Sequence, residues 1–276
     1  VRFCVALTLL CLAACGAPIE TPEEFIDAGR DAGRPDAGRS DAGTRDAGVD
    51  AGLRLDAGVR DAGPNHPPVV NASLNQSRTT AYAGQPVELS LGVTDEDGDL
   101  LTFTWTGPGF FFENGNPSAQ RWVSEELSAP TQVTVSVSVT DGRSPAVLRS
   151  TTIDVTVPRF QDVFSNVLAT PVLLGGQCIG CHGPMGEYQI APLRSSAWTQ
   201  LVDANHHHGS DCVAAGVPKM VVAGDRQRSL LYRKMTSTQP MGCGDGMPAM
   251  SQLVPASPRQ HIVTVGSWIA AGALND

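Results

Sequence analysis

The sequence predicts a chain of three parts: a stretch that builds no core, an all-β sandwich, and an all-α region. Three observations carry this. The triplet Asp-Ala-Gly recurs eight times between Asp27 and Gly63. Apolar and polar residues alternate in runs between Val87 and Val157, the period of half-buried strands. From Phe160 the apolar spacing lengthens to i, i+3, i+4, i+7, the stripe of an amphipathic helix.

Taken in order, the chain opens with Arg2 and an apolar run from Phe3 to Ala14. The run has the length of a secretion signal and is too short to span a bilayer well. It ends Leu12-Ala13-Ala14-Cys15-Gly16. These residues resemble a bacterial lipobox, which implies that residues 1–15 are a lipoprotein signal peptide and that Cys15 takes the lipid. An exported protein, anchored to a bacterial membrane at its periplasmic face or at the cell surface, is the expectation. An ordinary signal peptide or an uncleaved anchor is the alternative.

Residues 16–64 contain the Asp-Ala-Gly triplets, and no aromatic follows Phe25 there. Gly and Asp disfavour helix and strand, so the stretch is read as a disordered linker. Triplet spacing wanders between four and six residues, which rules out a strict structural repeat. As a flexible coil it would average about 35–42 Å end to end, enough to hold a folded part off a membrane.

Residues 65–157 carry the strand signals. Val69-Val70 follows Pro67-Pro68; Val87, Leu89 and Leu91 alternate with polar residues, as do Leu101, Phe103 and Trp105. Val133, Val135, Val137 and Val139 form the longest run, and Ile153, Val155 and Val157 close the region. Such spacing suits a β-sandwich of about 90 residues. Gly84-Gln85-Pro86, Thr94-Asp95-Glu96-Asp97-Gly98-Asp99, Thr104-Trp105 and Val139-Thr140-Asp141-Gly142 resemble immunoglobulin-like repeats of the polycystic-kidney-disease and cadherin-like kind. The two cysteines that staple antibody domains are absent. The resemblance implies a spacer, an adhesion unit or a module that engages glycan or protein. Asp95, Asp97 and Asp99 offer hard oxygen ligands for Ca²⁺. Gly98 stands at the fourth position of that run rather than the sixth, so this is no EF-hand, and an acidic turn between strands is the alternative.

Residues 158–276 change period. Phe160, Val163, Phe164, Val167 and Leu168 make one helical stripe, between Pro158 and Pro171. Ser257-Pro258 reads as an N-cap with proline at the first helical position, ahead of Ile262, Val265, Trp268 and Ile269. Between the two stripes lies Cys178-Ile179-Gly180-Cys181-His182. Cys-x-x-Cys-His is the attachment signature of a c-type haem: two thiols reach the vinyl groups, and the adjacent histidine can ligate iron. A zinc knuckle or a redox dithiol shares the pentapeptide. Zinc needs further ligands, and only Cys212 and Cys243 remain; a thioredoxin-like dithiol needs a βαβ setting that no pattern here provides. With Cys4 and Cys11 in the signal, Cys15 lipidated and two thiols on haem, Cys212 and Cys243 are an even remainder in an oxidising compartment. A disulfide between them would close a loop of about 32 residues, worth ~3.7 kcal/mol in the chain-entropy model.

The two stripes flanking the motif resemble the terminal helices of class-I-type cytochrome c domains. Val222-Ala223-Gly224-Asp225 with Ser229-Leu230-Leu231-Tyr232, then Gly246-Met247-Pro248 and Trp268-Ile269-Ala270-Ala271-Gly272-Ala273, resemble haem domains of planctomycete and myxobacterial type. The resemblance implies one covalent haem c, His182 as proximal ligand, and Met247, from the Met-Pro pair, as the sixth. Met250 is the near rival. Met235 falls in an apolar helical stretch and reads as packing. His206-His207-His208 reads as a polar loop, with metal or haem ligation as the alternative, and His261 as a helix-surface residue.

The formal charge of −9 is concentrated in residues 16–157, and no basic stripe exists, so nucleic acid is not an expected partner. Neither a hydrolase triad nor a nucleotide-binding loop is present. The expected activity is one-electron transfer to an unidentified redox protein by a membrane-tethered carrier. A surface binding lipoprotein with a structural haem domain, and a haem sensor or enzyme with an open sixth site, are the alternatives.

Overall fold

The computed structural model describes residues 64–169, 190, 192–247 and 258–276, all within the unit Ala57–Asp276. Cys15, the Asp-Ala-Gly tract, the pentapeptide 178–182 and Met250 lie outside the described residues. Among the described residues no helix is long and apolar enough to cross a membrane.

Ten strands occupy Val69 to Thr156. In order they are β1 (Val69–Val70), β2 (Asn75–Gln76), β3 (Thr80–Tyr82), β4 (Val87–Ser90), β5 (Val93–Thr94), β6 (Thr102–Thr106), β7 (Phe110–Glu113), β8 (Ala119–Val123), β9 (Thr131–Thr140) and β10 (Val147–Thr156). One sheet runs β2-β4-β8-β7 and the other β3-β10-β9-β6, with β1 and β5 pairing apart from both. All pairings are antiparallel except β3 with β10, where Ala81 lies opposite Val155 in parallel register. That is the A-B-E-D sheet facing the A′-G-F-C sheet of an immunoglobulin-like sandwich. The expected β-sandwich is therefore present.

The inward residues are those the alternation selects. Val133, Val135, Val137 and Val139 of β9 are all buried, as are Val87 and Leu89 of β4 and Ile153 and Val155 of β10. Trp122 of β8 fills the middle with no exposure, and its indole N–H donates to the Pro108 carbonyl at 2.9 Å. A buried indole keeps a partner in this way, because an unpaired donor in the core would cost stability.

After Pro158 the elements are short. Helix α1 (Phe160–Val163) passes directly into a π turn, Phe164–Leu168. Helices α2 (Arg194–Leu201), α3 (Ser210–Ala214), α4 (Leu230–Met235) and α5 (Arg259–Ala270) follow. They share a second core built on Phe160, Leu168, Leu201, Leu230, Trp268 and Ile269. The first and last helices meet there: the Phe160 and Trp268 rings lie 5.2 Å apart. Helix α5 starts at Arg259 with Pro258 as its N-cap, one residue later than the sequence suggests.

Helix α5 belongs to both cores. Val263 packs into the sandwich, while Val265, Trp268 and Ile269 pack among the helices. His261 is accordingly buried at 5% exposure, against the expectation of a helix-surface residue. The 3.6-residue pattern suggests one wet face, but a helix lying in a seam between two cores has almost none. Gly84, in the turn before β4, has φ +94°, and a Cβ there would stand 2.5 Å from the Gln260 carbonyl oxygen of α5. Glycine thus supplies both the left-handed turn and the close approach.

Candidate functional site

Of the residues expected to hold haem, Met247 alone lies among the described residues. It is half-buried at the end of a segment that runs back along α4. Three attachments hold that segment. Cys243 is disulfide-bonded to Cys212 of α3, Cα to Cα 4.8 Å, with both residues fully buried in the helical core. The Asp245 carbonyl accepts from Lys234 Nζ at 2.8 Å. The Met247 amide donates to the Lys234 carbonyl at 2.9 Å. Helix ends leave their last carbonyls without helical partners, and this segment takes up one of them. Gly246 lies against the turn that follows α4, where a Cβ would come within 3.1 Å of Ser237 Oγ and 3.3 Å of Gln239 Nε2.

This anchoring is the test the structure allows of whether the chain suits a haem. A thioether ligand must be soft, and it must be held where it is needed. Met247 is soft by type, and its backbone is anchored and half-buried, so its chemistry fits the role. Met235, read as packing, is buried in the helical core. In the histidine run, His206 Nε2 donates to the Val217 carbonyl at 2.7 Å and is half-buried, while His207 is exposed. Burial lowers the pKa of the Lys234 ammonium below the usual lysine range.

Sequence reasoning found Val222 to Tyr232 only as a resemblance, and its local geometry explains the residue types. Ser229 Oγ accepts from the Val222 amide at 2.8 Å and donates to the Asp225 carbonyl at 2.7 Å, closing a turn. Gly224, at φ +79°, donates its N–H to the Ile269 carbonyl of α5 at 2.8 Å. The turn therefore docks α4 on α5.

The three aspartates do come together. Ligand oxygens of Asp95, Asp97 and Asp99 lie within 4.8 Å of one another, at one end of the sandwich. Asp95 Oδ1 accepts from the amides of Asp97 (3.1 Å) and Asp99 (3.0 Å). Its Oδ2 is buried without a hydrogen-bond partner, an atom that a hard cation would satisfy. Two basic residues of the chain occupy the same cluster: His66 binds Asp97 through its amide (2.6 Å) and Nδ1 (3.0 Å), and Arg143 reaches Asp99 at 3.2 Å. The hydrogen bonds from His66 hold the Asp97 carboxyl below the usual range, and Asp97 raises His66 in return.

A cleft of about 570 Å³ opens where the sandwich meets the helices, and no sequence signal announced it. Glu126, leaving β8, accepts a hydrogen bond from Tyr232 Oη at 2.7 Å and forms an ion pair with Arg226. Burial, then the bond to Glu126, pushes the Tyr232 phenol up to about 12. Gly266 of α5 leaves the space that the Glu126 carboxylate fills. Arg259 stacks over Phe110 at 4.7 Å on the opposite wall.

No protein-family model matches the chain, and no curated protein does. Among solved structures, the PKD1 domain of Vibrio anguillarum Epp is similar at 29% identity, over 34% of this chain and 99% of that one, with a TM-score of 0.24. A nucleoside hydrolase-related hypothetical protein from Saccharophagus degradans shares 20% identity at TM-score 0.25; the match spans 34% of this chain and only 26% of that one. The N-terminal Ig1-2 module of the Drosophila receptor protein tyrosine phosphatase DLAR shares 11%, over 34% of this chain and 53% of that one, at TM-score 0.25. At such scores the immunoglobulin-like assignment rests on strand order and register.

Proposed function

We propose that the chain is a membrane-tethered, monohaem c-type cytochrome that transfers one electron at a time at the periplasmic face or cell surface. The observation that carries the reading is the run Cys178-Ile179-Gly180-Cys181-His182, which falls in the sequence between two helical stripes. Cys178 and Cys181 would hold the haem as thioethers, and His182 and Met247 would ligate its iron. When bound, the haem supplies an iron that changes valence, and the protein contributes ligation, burial and orientation. The support from the described residues is the anchored Met247 segment and its disulfide. The lipid on Cys15 and the linker 16–64 tether the folded part to the membrane, and the acceptor is another redox protein.

Ca²⁺ at Asp95, Asp97 and Asp99 is part of the same reading, supported by the unpartnered Asp95 Oδ2. It would displace His66 and Arg143 and stiffen the free end of the sandwich.

The test is a pair of visible and near-infrared spectra, oxidised and reduced, of protein made with cytochrome c maturation machinery. His/Met ligation gives a weak near-infrared charge-transfer band in the oxidised state. Met247→Ala should erase the band and admit carbon monoxide to the reduced iron, while Met250→Ala should leave both unchanged. Wild-type protein that takes up carbon monoxide readily would instead favour the sensor or enzyme alternative.

A further inference from the structure

Lys234 is 6% exposed, in the last turn of α4. Buried lysines are rare, because an ammonium taken out of water loses solvation that must be replaced by hydrogen bonds. Here the Nζ does not meet a carboxylate: it donates to the main-chain carbonyl of Asp245 at 2.8 Å. The main-chain carbonyl of Lys234 itself accepts from the Met247 amide at 2.9 Å. One residue therefore grips the segment on both sides of Gly246, through its side chain at one end and its backbone at the other. The disulfide at Cys243 fixes the segment two residues before that grip begins. Nothing in an electron carrier's ligand set calls for a buried charge at this place, and packing alone would be better served by leucine or methionine.

We propose that Lys234 is a positioning residue for Met247: its ammonium holds the 245–247 segment against α4, so that the thioether is presented rather than left on a mobile loop. This rests on the reading of Met247 as distal ligand. The backbone half of the grip survives any substitution at Lys234, whereas the side-chain half depends on the ammonium. Lysine is suited to the task because three N–H donors on a compact head can reach a carbonyl from inside a core.

Lys234→Met retains the aliphatic stem and removes the donor. In the haem-loaded protein it should weaken the near-infrared band and raise carbon monoxide affinity of the reduced form about 10-fold or more, the factor equivalent to ~1.4 kcal/mol. Lys219→Met, which removes a half-buried lysine bonded to Asn205 and remote from the 245–247 segment in sequence, should change neither. A merely structural lysine would lower thermal stability and leave the band as it is. Hydrogen exchange on the wild-type protein gives a second readout that needs no variant: the Met247 amide should be protected to the same degree as the amides of α4. A wild-type band that survives intact in folded Lys234→Met, or an unprotected Met247 amide, overturns the proposal. Wild-type protein with haem but no band overturns the ligand assignment first and this proposal with it.

Discussion

The sandwich and the helical region reach order by different routes. In the sandwich the longest elements are the ten-residue strands β9 and β10, which pair along nine positions and bury every second side chain of β9 from Val133 to Val139. A run of that kind closes a core through side-chain period alone. In the helical region the elements have four to twelve residues, too short to be stable as isolated helices in water. Order there depends on cross-links: the Cys212–Cys243 disulfide, the Ser229 turn, the Lys234 grip, and a last helix that borrows half its burial from the sandwich. The difference teaches that the sandwich is a fixed foundation for the helices, joined through α5, rather than a spacer on a free hinge.

The sharpest way to break this comparison is Trp268→Ala. The indole is 1% exposed, stacks near Phe160, and donates to the Leu274 carbonyl at 2.9 Å. Its loss should cost about 3–5 kcal/mol. Because α5 serves both cores, calorimetry should show the whole described unit shifting in one transition. Two separate transitions, with the sandwich unchanged, would show that the seam does not couple them.

Replacing both cysteines, Cys212→Ser with Cys243→Ser, should cost about 2–5 kcal/mol and lower the same single transition. Thermal melts with and without reductant check this: wild-type protein under reduction should match the double variant, with strand and helix signals in circular dichroism lost together.

At the far end of the sandwich, added Ca²⁺ should raise the melting temperature, by an amount equivalent to about 2.7 kcal/mol when the ion is at 100 times its dissociation constant. Asp95→Asn should remove the effect. A wild-type melt that is the same in Ca²⁺ and in chelator would leave the cluster as an ion-paired turn held by His66 and Arg143.

The smallest expected effects are at the seam itself. Glu126→Gln keeps the shape that Gly266 accommodates and removes the charge, at about 1–2 kcal/mol, because Arg226 stays partly in water. Tyr232 adds a pH signature. Its folded pKa of about 12 lies above the ordinary 10.0. The folded state thus keeps a proton that the unfolded state releases, and the contribution is full below pH 10 and lost as pH rises towards 12. Tyr232→Phe should flatten stability across that window in an alkaline titration.

The legibility of the chain follows the same division. Strands β4, β6, β9 and β10 were readable because Val87, Phe103, Val137 and Ile153 sit in runs of alternating polarity. Strands β2 (Asn75–Gln76) and β8 (Ala119–Val123) were not: the first has no apolar residue, and in the second Trp122 and Val123 adjoin instead of alternating. The stripes of α1 and α5 were readable, but the burial of His261 was not, since one helix's periodicity does not say how many cores it touches. The Cys212–Cys243 pairing came from counting thiols and is present. Lys234 and Glu126 left no trace in the sequence, because a charged residue in an ordinary helix or loop reads as solvated until its neighbours are known.

The most direct measurement of the central claim is a haem-stained denaturing gel of the wild-type chain, made with cytochrome c maturation machinery, beside the Cys178→Ser, Cys181→Ser double variant. Haem that survives denaturation is covalently attached. The account predicts a stained wild-type band, with one haem per chain by the reduced spectrum, and an unstained double variant. A wild-type band that carries no stain, or a double variant that stains as strongly, would contradict it.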